Sequence, residues 1–416
     1  MTTASIIWLS IFCACFGLAL YTFLGYPLLM LFVSKIMRPR KRPDTSGQQK
    51  QAELRVAVVV AAYNERENIV ATLKSFITQD YPHHRFEVVV FSDGSTDGTD
   101  DVVHSFASNR SNGGPVIRLV RYEGRLGKTE CQNRTVEQLL THGRPDVVVF
   151  SDGNILWQKD ALRLLVEPFA DQRVGATTGA LHLVRRNGSA MTLEKTNEGL
   201  FRRFDHAIKK GESRLLSAVG VNGPIYAVRT DQYVRLQQHL VSDLVLPLLI
   251  AARGKRVEYV PEAIGLESAT DSIWHEFRRK RRLVTQGFVA LPLLLRAAHP
   301  WRRPGLNFLL ISHKVLRWVG IELLGISLVA TVVLVILASP VQPVFVGVLL
   351  LEIASLLLAT LGILFSEKDG DEPNGTATGP AILEALSFFV LTNIASLVAV
   401  VDYVRGETAT RWRTER

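Results

Sequence analysis

VVFSDGSTDGTDD, residues 89–101, is an apolar run that stops at an aspartate, turns on two glycines and restarts as polar helix-forming sequence. A strand buried on both faces reads as such an unbroken Val/Phe run. Gly94 and Gly98 let the backbone turn tightly, and Thr96 or Asp97 can cap the following helix. Asp97, Asp100 and Asp101 are accounted for by helix-start chemistry. Asp93 stands at the strand tip itself, where the alternative to a ligand is a turn aspartate that bonds its own loop.

The same grammar repeats on both sides. LRVAVVVAA (54–62), FEVVVF (86–91), PVIRLVRY (115–122) and DVVVFS (146–151) alternate with the helix-like ERENIVATLKSFITQ (65–79), GTDDVVHSFAS (98–108) and GKTECQNRTVEQLL (127–140). Short β-rich runs alternating with amphipathic ones predict βαβ units and a largely parallel α/β sheet. Ligands of such sheets sit outside the carboxyl ends of the strands. Ala62, Tyr63, Asn64 and Glu65, Asp93, and Asp152 follow three of these runs. Asp152-Gly153-Asn154 at the last tip pairs a carboxylate with a short amide, a hard oxygen set suited to Mg2+ or Mn2+.

Outside this region the chain reads as membrane protein. Residues 5–33 carry no charge and exceed the roughly 20 residues needed to cross a bilayer. They are too long for a signal peptide and have no basic segment before them. KIMRPRKRP (35–43) follows, which by the positive-inside rule places residues 44 to about 300 in the cytosol. Apolar stretches at 318–338, 341–365 and 380–404 predict further helices, with Pro340 and Pro343 at a tight turn and a polar linker at 366–379. Three crossings would leave the basic tail RGETATRWRTER outside, against the charge rule. The last stretch, with Glu384, Asn393 and Asp402, is therefore expected to be interfacial, or to turn those groups toward a polar conduit. The net charge of +9 suits anionic lipid or anionic substrates. No basic-aromatic motif points to nucleic acid. The three cysteines, Cys13, Cys15 and Cys131, form neither a disulfide framework nor a zinc spacing.

Taken in order, AAYNE (61–65), SDGSTDGT (92–99), GRLGK (124–128), FSDGN (150–154), GVNGPIYAVR (220–229), VSDLVLP (241–247), EFRRKRR (276–282) and SHKVLRW (312–318) resemble the processive membrane-embedded family-2 glycosyltransferases, the group of cellulose, chitin and hyaluronan synthases. The resemblance runs along nearly the whole chain. It implies a GT-A domain at 44–271, between an N-terminal membrane segment (1–43), interfacial helices (272–317) and C-terminal membrane helices with a tail (318–416). It further implies a UDP-sugar donor, a Mg2+ or Mn2+ ion, and inverting transfer to a growing polysaccharide.

On that reading Ala62, Tyr63, Glu65 and Asp93 lie at the nucleoside, and Lys128 and Arg282 meet the diphosphate. Asp152 and Asn154 hold the metal, Asp243 is the general base, and Asn222, Gly223 and Pro224 face the acceptor. A base that takes the acceptor proton and neutralisation of the leaving diphosphate are what the reaction requires. Two departures stand out: Ser242 replaces an acidic residue, and Leu283 replaces the tryptophan of the family's Gln-x-x-Arg-Trp motif. They keep two alternatives in play, single-sugar transfer to a polyprenyl phosphate or other lipid, and an inactive nucleotide-sugar-binding partner protein. Donor sugar, linkage and oligomeric state are not legible.

Overall fold

The computed structural model describes residues 2–37, 54–108, 114–187, 190–193, 197–268, 273–299, 301–337, 342–368 and 381–406. Residues 38–43 of the basic cluster, Pro340, residues 369–379 of the linker, the tail beyond 406 and the side chain of Glu384 lie outside this set.

Two helices, α1 (Thr3–Leu20) and α2 (Tyr26–Ile36), are joined by a π-turn at Tyr21–Gly25 into one long apolar rod. The sheet follows: β1 (Val56–Ala62), α3 (Ile69–Ile77), β2 (Phe86–Asp93), α4 (Thr99–Ser108), β3 (Val116–Tyr122), α5 (Lys128–His142) and β4 (Val147–Asp152). Next come β5 (Leu156–Trp157), α6 (Ala161–Val166), β6 (Val174–Asn187), β7 (Ala190–Leu193), α7 (Asn197–Leu215), β8 (Tyr226–Arg229), α8 (Ser242–Ala252) and β9 (Arg256–Ser268). The order across the sheet is β3-β2-β1-β4-β8-β6-β9-β5, with β7 on β6. β3, β2, β1 and β4 are parallel, as are β6 and β9, while β8 runs antiparallel between the two groups. This is the mixed, mostly parallel α/β sheet expected.

The apolar runs are continuous because both faces are covered. Ala57, Val59, Ala61, Val89, Phe91, Val148 and Phe150 pack on one side, against Val245 and Leu246 of α8 and Tyr26 and Met30 of α2. Val56, Val58, Val60, Val88, Val90, Val147 and Val149 pack on the other, against Leu73 and Phe76 of α3 and Leu162 and Leu165 of α6. The apolar core thus runs unbroken from the sheet to the N-terminal apolar rod. Gly211 of α7 makes this approach possible, since a Cβ there would collide with the Met30 carbonyl.

After the sheet, α9 (Ile273–Ala298) leads to α10 (Pro304–Leu310), a second π-turn at Ile311–Val315 and the short α11 (Leu316–Trp318). Then come α12 (Gly320–Leu337), α13 (Gln342–Lys368) and α14 (Ala381–Val404). Among the described residues three helices are long and apolar enough to cross a membrane: Thr3–Ile36, Gly320–Leu337 and Gln342–Gly362. In α14 the Asp402 carboxylate is held bidentately by Arg281 of α9 at 2.5 and 2.8 Å, and the Asn393 amide donates to the Phe389 carbonyl. Asp402 is therefore a tie between α14 and α9 and does not face a conduit.

Candidate active site

The site is assembled at the carboxyl ends of β2, β1 and β4. In the register Ala62 of β1 lies beside Ser92 of β2, and Ala61 beside Asp152 of β4, so the AAYNE tip sits between the two aspartate tips. Ala62 is fully buried, its backbone included, so it presents no surface to a ligand.

The acidic loop after β2 proves to be largely internal stitching. Asn64 Oδ1 accepts from Thr96 N at 2.9 Å, Asn64 N donates to Ser95 Oγ at 3.2 Å, and Arg66 N donates to Asp97 at 3.1 Å. Burial works against the Asp97 carboxylate, but hydrogen bonds from Thr99 and Arg66 outweigh it and hold its pKa down. Gly94 (φ 70°) and Gly98 (φ 89°) occupy the left-handed region that favours glycine. Glu65 is buried as well, its amide donating to Thr99 Oγ1 at 2.9 Å and its carboxylate accepting from Asn68 at 2.8 Å.

Asp93 reaches across to the GRLGK loop. It is 0% exposed and accepts from the backbone N–H of Leu126 at 2.6 Å and of Gly127 at 3.0 Å, with Cys131 Sγ at 3.4 Å. Asp93 thus fixes the loop that carries the next two residues. Arg125 stacks its guanidinium over the Tyr63 ring at 3.2 Å, a cation–π pair at the mouth of the β1 tip. Lys128, first residue of α5, sends its ammonium to Asp152 Oδ1 at 2.5 Å. Asn154 is exposed beside it.

Asp243 lies in the first turn of α8, whose start is anchored by Ser242 Oγ donating to Gln132 Oε1 at 2.6 Å. Ser242 therefore has a clear positioning role without a carboxylate. Gly223 lies directly against Asp243, where a Cβ would stand 2.5 Å from its Oδ2. Burial pushes the Asp243 carboxyl above the usual range and Asp152 adds to this, while Lys128, Lys314 and Arg282 pull the other way. Electrostatically, then, Asp243, Asp152 and Lys128 belong to one site. Asp93 joins them through the loop that it holds.

Asn222 is not free to meet an acceptor through its amide. Its Oδ1 accepts from Lys209 of α7 at 2.5 Å, its Nδ2 donates to the Gly179 carbonyl at 2.6 Å, and its N–H donates to Thr178 Oγ1 at 2.9 Å. Gly223 is buried, Pro224 half-buried, and Arg282 half-buried on α9.

Sequence reasoning did not find Arg125, Gln132, Lys209 or Tyr226, whose ring stacks on Phe150 at 4.7 Å beneath the Asp152 tip. Arg125 and Lys128 lie in one quoted motif, so a signal was present for Arg125. For Lys209, in an α7 that reads as a solvated charged helix, there was none.

Whether a divalent cation fits can be judged from the donors. Asp152 has one oxygen engaged by Lys128, and among the described residues no three of His, Cys, Asp and Glu come together. Such a set suits a cation completed by substrate phosphates, the usual habit of Mg2+ and Mn2+ at nucleotides, and not a cage made by protein alone.

The family model described as "Glycosyltransferase like family 2" matches residues 54–286. A probable glycosyltransferase, YdaM, of Bacillus subtilis is 25% identical over 247 residues, 58% of this chain and 57% of its own length. A poly-beta-1,6-N-acetyl-D-glucosamine synthase of Staphylococcus epidermidis is 27% identical over 125 residues, 30% of this chain and 28% of its own. An N-acetylglucosaminyltransferase of Neorhizobium galegae is 25% identical over 400 residues, covering 86% of this chain and 88% of its own. The chain therefore spans little more than half of the first of these relatives and most of the last. Among solved structures, a mannosyltransferase from Pyrobaculum calidifontis, in complex with GDP-Man and Mn2+, superposes with a TM-score of 0.65 at 22% identity, over 97% of this chain and 99% of that one. It shares the mixed-sheet GT-A fold.

Proposed function

From the premise that this chain belongs to the glycosyltransferase-like family 2, we propose that it elongates a β-linked saccharide at a membrane, using a UDP-sugar in a single inverting displacement. The observation that carries the proposal is the half-buried Asp243, set against Gly223 of the GVNGP loop and electrostatically coupled to Asp152 and Lys128.

The acceptor hydroxyl loses its proton to Asp243 as its oxygen attacks C1 of the donor sugar, and UDP departs from the opposite face. A carboxyl raised by burial is a better proton acceptor than an ordinary aspartate, provided that it is ionised. Lys128 leaves Asp152 for the diphosphate and neutralises part of the charge that develops there. A Mg2+ or Mn2+ held by Asp152, with Asn154 beside it, would supply Lewis-acid stabilisation of the same diphosphate. Tyr63 and Arg125 flank the nucleoside at the β1 tip, and Arg282 approaches the phosphates from α9. Asp93 and Glu65 act by holding these loops. With one base and no second carboxylate assigned as nucleophile, a single displacement inverts the anomeric centre.

The names of two relatives make UDP-N-acetylglucosamine the first donor to try. Purified full-length protein should be incubated with single radiolabelled UDP-sugars and Mn2+ or Mg2+, and the products sized and their linkages determined. Extension of a saccharide by one of these donors is the expected result. If none extends a saccharide while one yields only a lipid-linked monosaccharide, elongation is wrong.

A further inference from the structure

Asp243 is not carried by the strand and helix that bring Asp152 and Lys128 together. It follows residues 233–241, which belong to no helix or strand, although Leu236 and Leu240 within them are each only 5% exposed. Buried backbone outside a ladder must find its hydrogen bonds elsewhere. Here it finds them on α5. Thr129 Oγ1 donates to the Leu240 carbonyl at 2.7 Å. Asn133 serves both backbone groups of Leu236, its Nδ2 donating to the carbonyl at 2.7 Å and its Oδ1 accepting from the N–H at 3.2 Å. The same Oδ1 accepts from Tyr233 Oη at 3.0 Å. Gln132 Oε1 completes the set through Ser242 Oγ, the residue beside Asp243.

Thr129, Gln132 and Asn133 are all buried. They follow Lys128 at spacings of one, four and five residues, which puts them on one side of the helix with it. α5 itself starts from the GRLGK loop that Asp93 holds by two backbone amides. A single helix therefore presents the lysine bonded to Asp152 and, in its next turn, the side chains that fix the approach to Asp243. A second reference comes from β4, where Phe150, two residues before Asp152, stacks on the Tyr233 ring at 6.1 Å. The segment that delivers Asp243 is thus measured off the same two elements that carry Lys128 and Asp152.

We propose that Thr129, Gln132 and Asn133 are positioning residues for the transfer step: they register Asp243 against Lys128 and Asp152, and Gln132 acts on Asp243 most directly, through Ser242. The inference rests on the transfer reading and states how its base is aligned with its donor. In a single displacement the acceptor proton leaves while charge develops on the diphosphate, so the two groups must be in place together. A misplacement of about 1 Å between them loses on the order of 10²-fold in rate. Donor binding draws on Lys128 and the strand tips and does not need Asp243 in register. Loss of Gln132 therefore belongs in kcat and not in donor affinity, which separates a positioning role from a merely structural one.

Detergent-solubilised full-length protein should be assayed with whichever radiolabelled UDP-sugar the wild type turns over, and UDP affinity measured with Mn2+ present. Gln132→Met keeps the side-chain volume and removes the acceptor. Its kcat should fall on the order of tenfold to a hundredfold, with donor KM and UDP affinity close to wild type. Gln132→Glu keeps an oxygen facing Ser242 and should recover most of the rate. Ser242→Ala should lose as much as Gln132→Met, and the double variant no more than either, because both remove one bond. Should Gln132→Met fail to fold, Ser242→Ala against Ser242→Thr carries the same test, since only threonine retains the hydroxyl. Unchanged kcat, a loss confined to KM or UDP affinity, or additive losses in the double variant would each overturn the proposal. Asp243→Asn separates the two readings: an active Asp243→Asn removes the base and the transfer reading with it, whereas an inactive one beside an unaffected Gln132→Met sinks the positioning role alone.

Discussion

Gly223→Ala is the sharpest probe of the assignment of Asp243. The added methyl would lie 2.5 Å from Oδ2, 3.3 Å from Cγ and 3.4 Å from Cβ of Asp243, so the overlap is confined to the end of that side chain. Ordinary contact begins near 3.4 Å, and the carboxylate oxygen must therefore retreat by most of an ångström. Rotating the side chain by some 30° from its rotamer costs about 0.5–1.5 kcal/mol, a modest loss of stability. The effect on rate is larger, since a reacting group misplaced by about 1 Å loses on the order of 10²-fold. Turnover of the radiolabelled donor should fall by about that factor, with melting temperature and UDP affinity close to wild type. A Gly223→Ala enzyme with unchanged kcat would show that the position of Asp243 is immaterial to the chemical step, and the base would have to be sought elsewhere.

Other outcomes follow from the same geometry. Asp243 must be ionised to accept a proton and its pKa is raised by burial first and by Asp152 next. Activity should therefore be lost as pH falls through a value above the ordinary carboxylate range, and Asp243→Asn should be inactive while retaining UDP; an acid limb at or below that range would contradict the burial argument. Titration calorimetry should find weak Mn2+ binding to protein alone and tight binding once UDP is added, because Asp152 lacks companions for a cage among the described residues; tight binding without nucleotide would refute the shared-cation arrangement. The Arg281–Asp402 pair, together with Phe288 stacked on Tyr403 at 5.6 Å, ties the end of α14 to α9. A C-terminal tag should therefore be accessible from the side of the catalytic domain, and accessibility from the opposite side alone would contradict it.

The tips of β2 and β4 were legible because each is an apolar run cut off by an aspartate, and that pattern is local. Asp93 was placed correctly at its tip, but its orientation was not readable. Whether a carboxylate faces a ligand or its own protein depends on the GRLGK loop, which returns 33 residues later to offer two amides. The same holds for Lys128 and Asp152, 24 residues apart and joined only by the βαβ crossover. α7 misleads most. Its sequence, NEGLFRRFDHAIKKGESRL, has the charge density of a solvated helix, yet Lys209 is 4% and Glu212 0% exposed. Periodicity cannot reveal this, because the cover comes from α2, more than 170 residues earlier, and a π-turn about 100 residues later.

That buried face bears on how membrane and catalysis are connected. A carboxylate without solvent is strongly disfavoured unless its lone pairs are filled, and those of Glu212 are filled from three elements: Tyr26 of α2, His313 of the π-turn and the Val219 amide ahead of the GVNGP loop. One turn back on α7, Lys209 bonds both Asp205 and Asn222, which ties the GVNGP loop to α7. Burial opposes ionisation of Asp205, but Lys209 and then His313 hold its pKa well below the usual range. On the other side of the helix, Arg214 donates to the Ser34 and Met37 carbonyls where α2 ends. α2 is therefore bonded through α7 to the backbone that leads into the GVNGP loop, and is more than a tether.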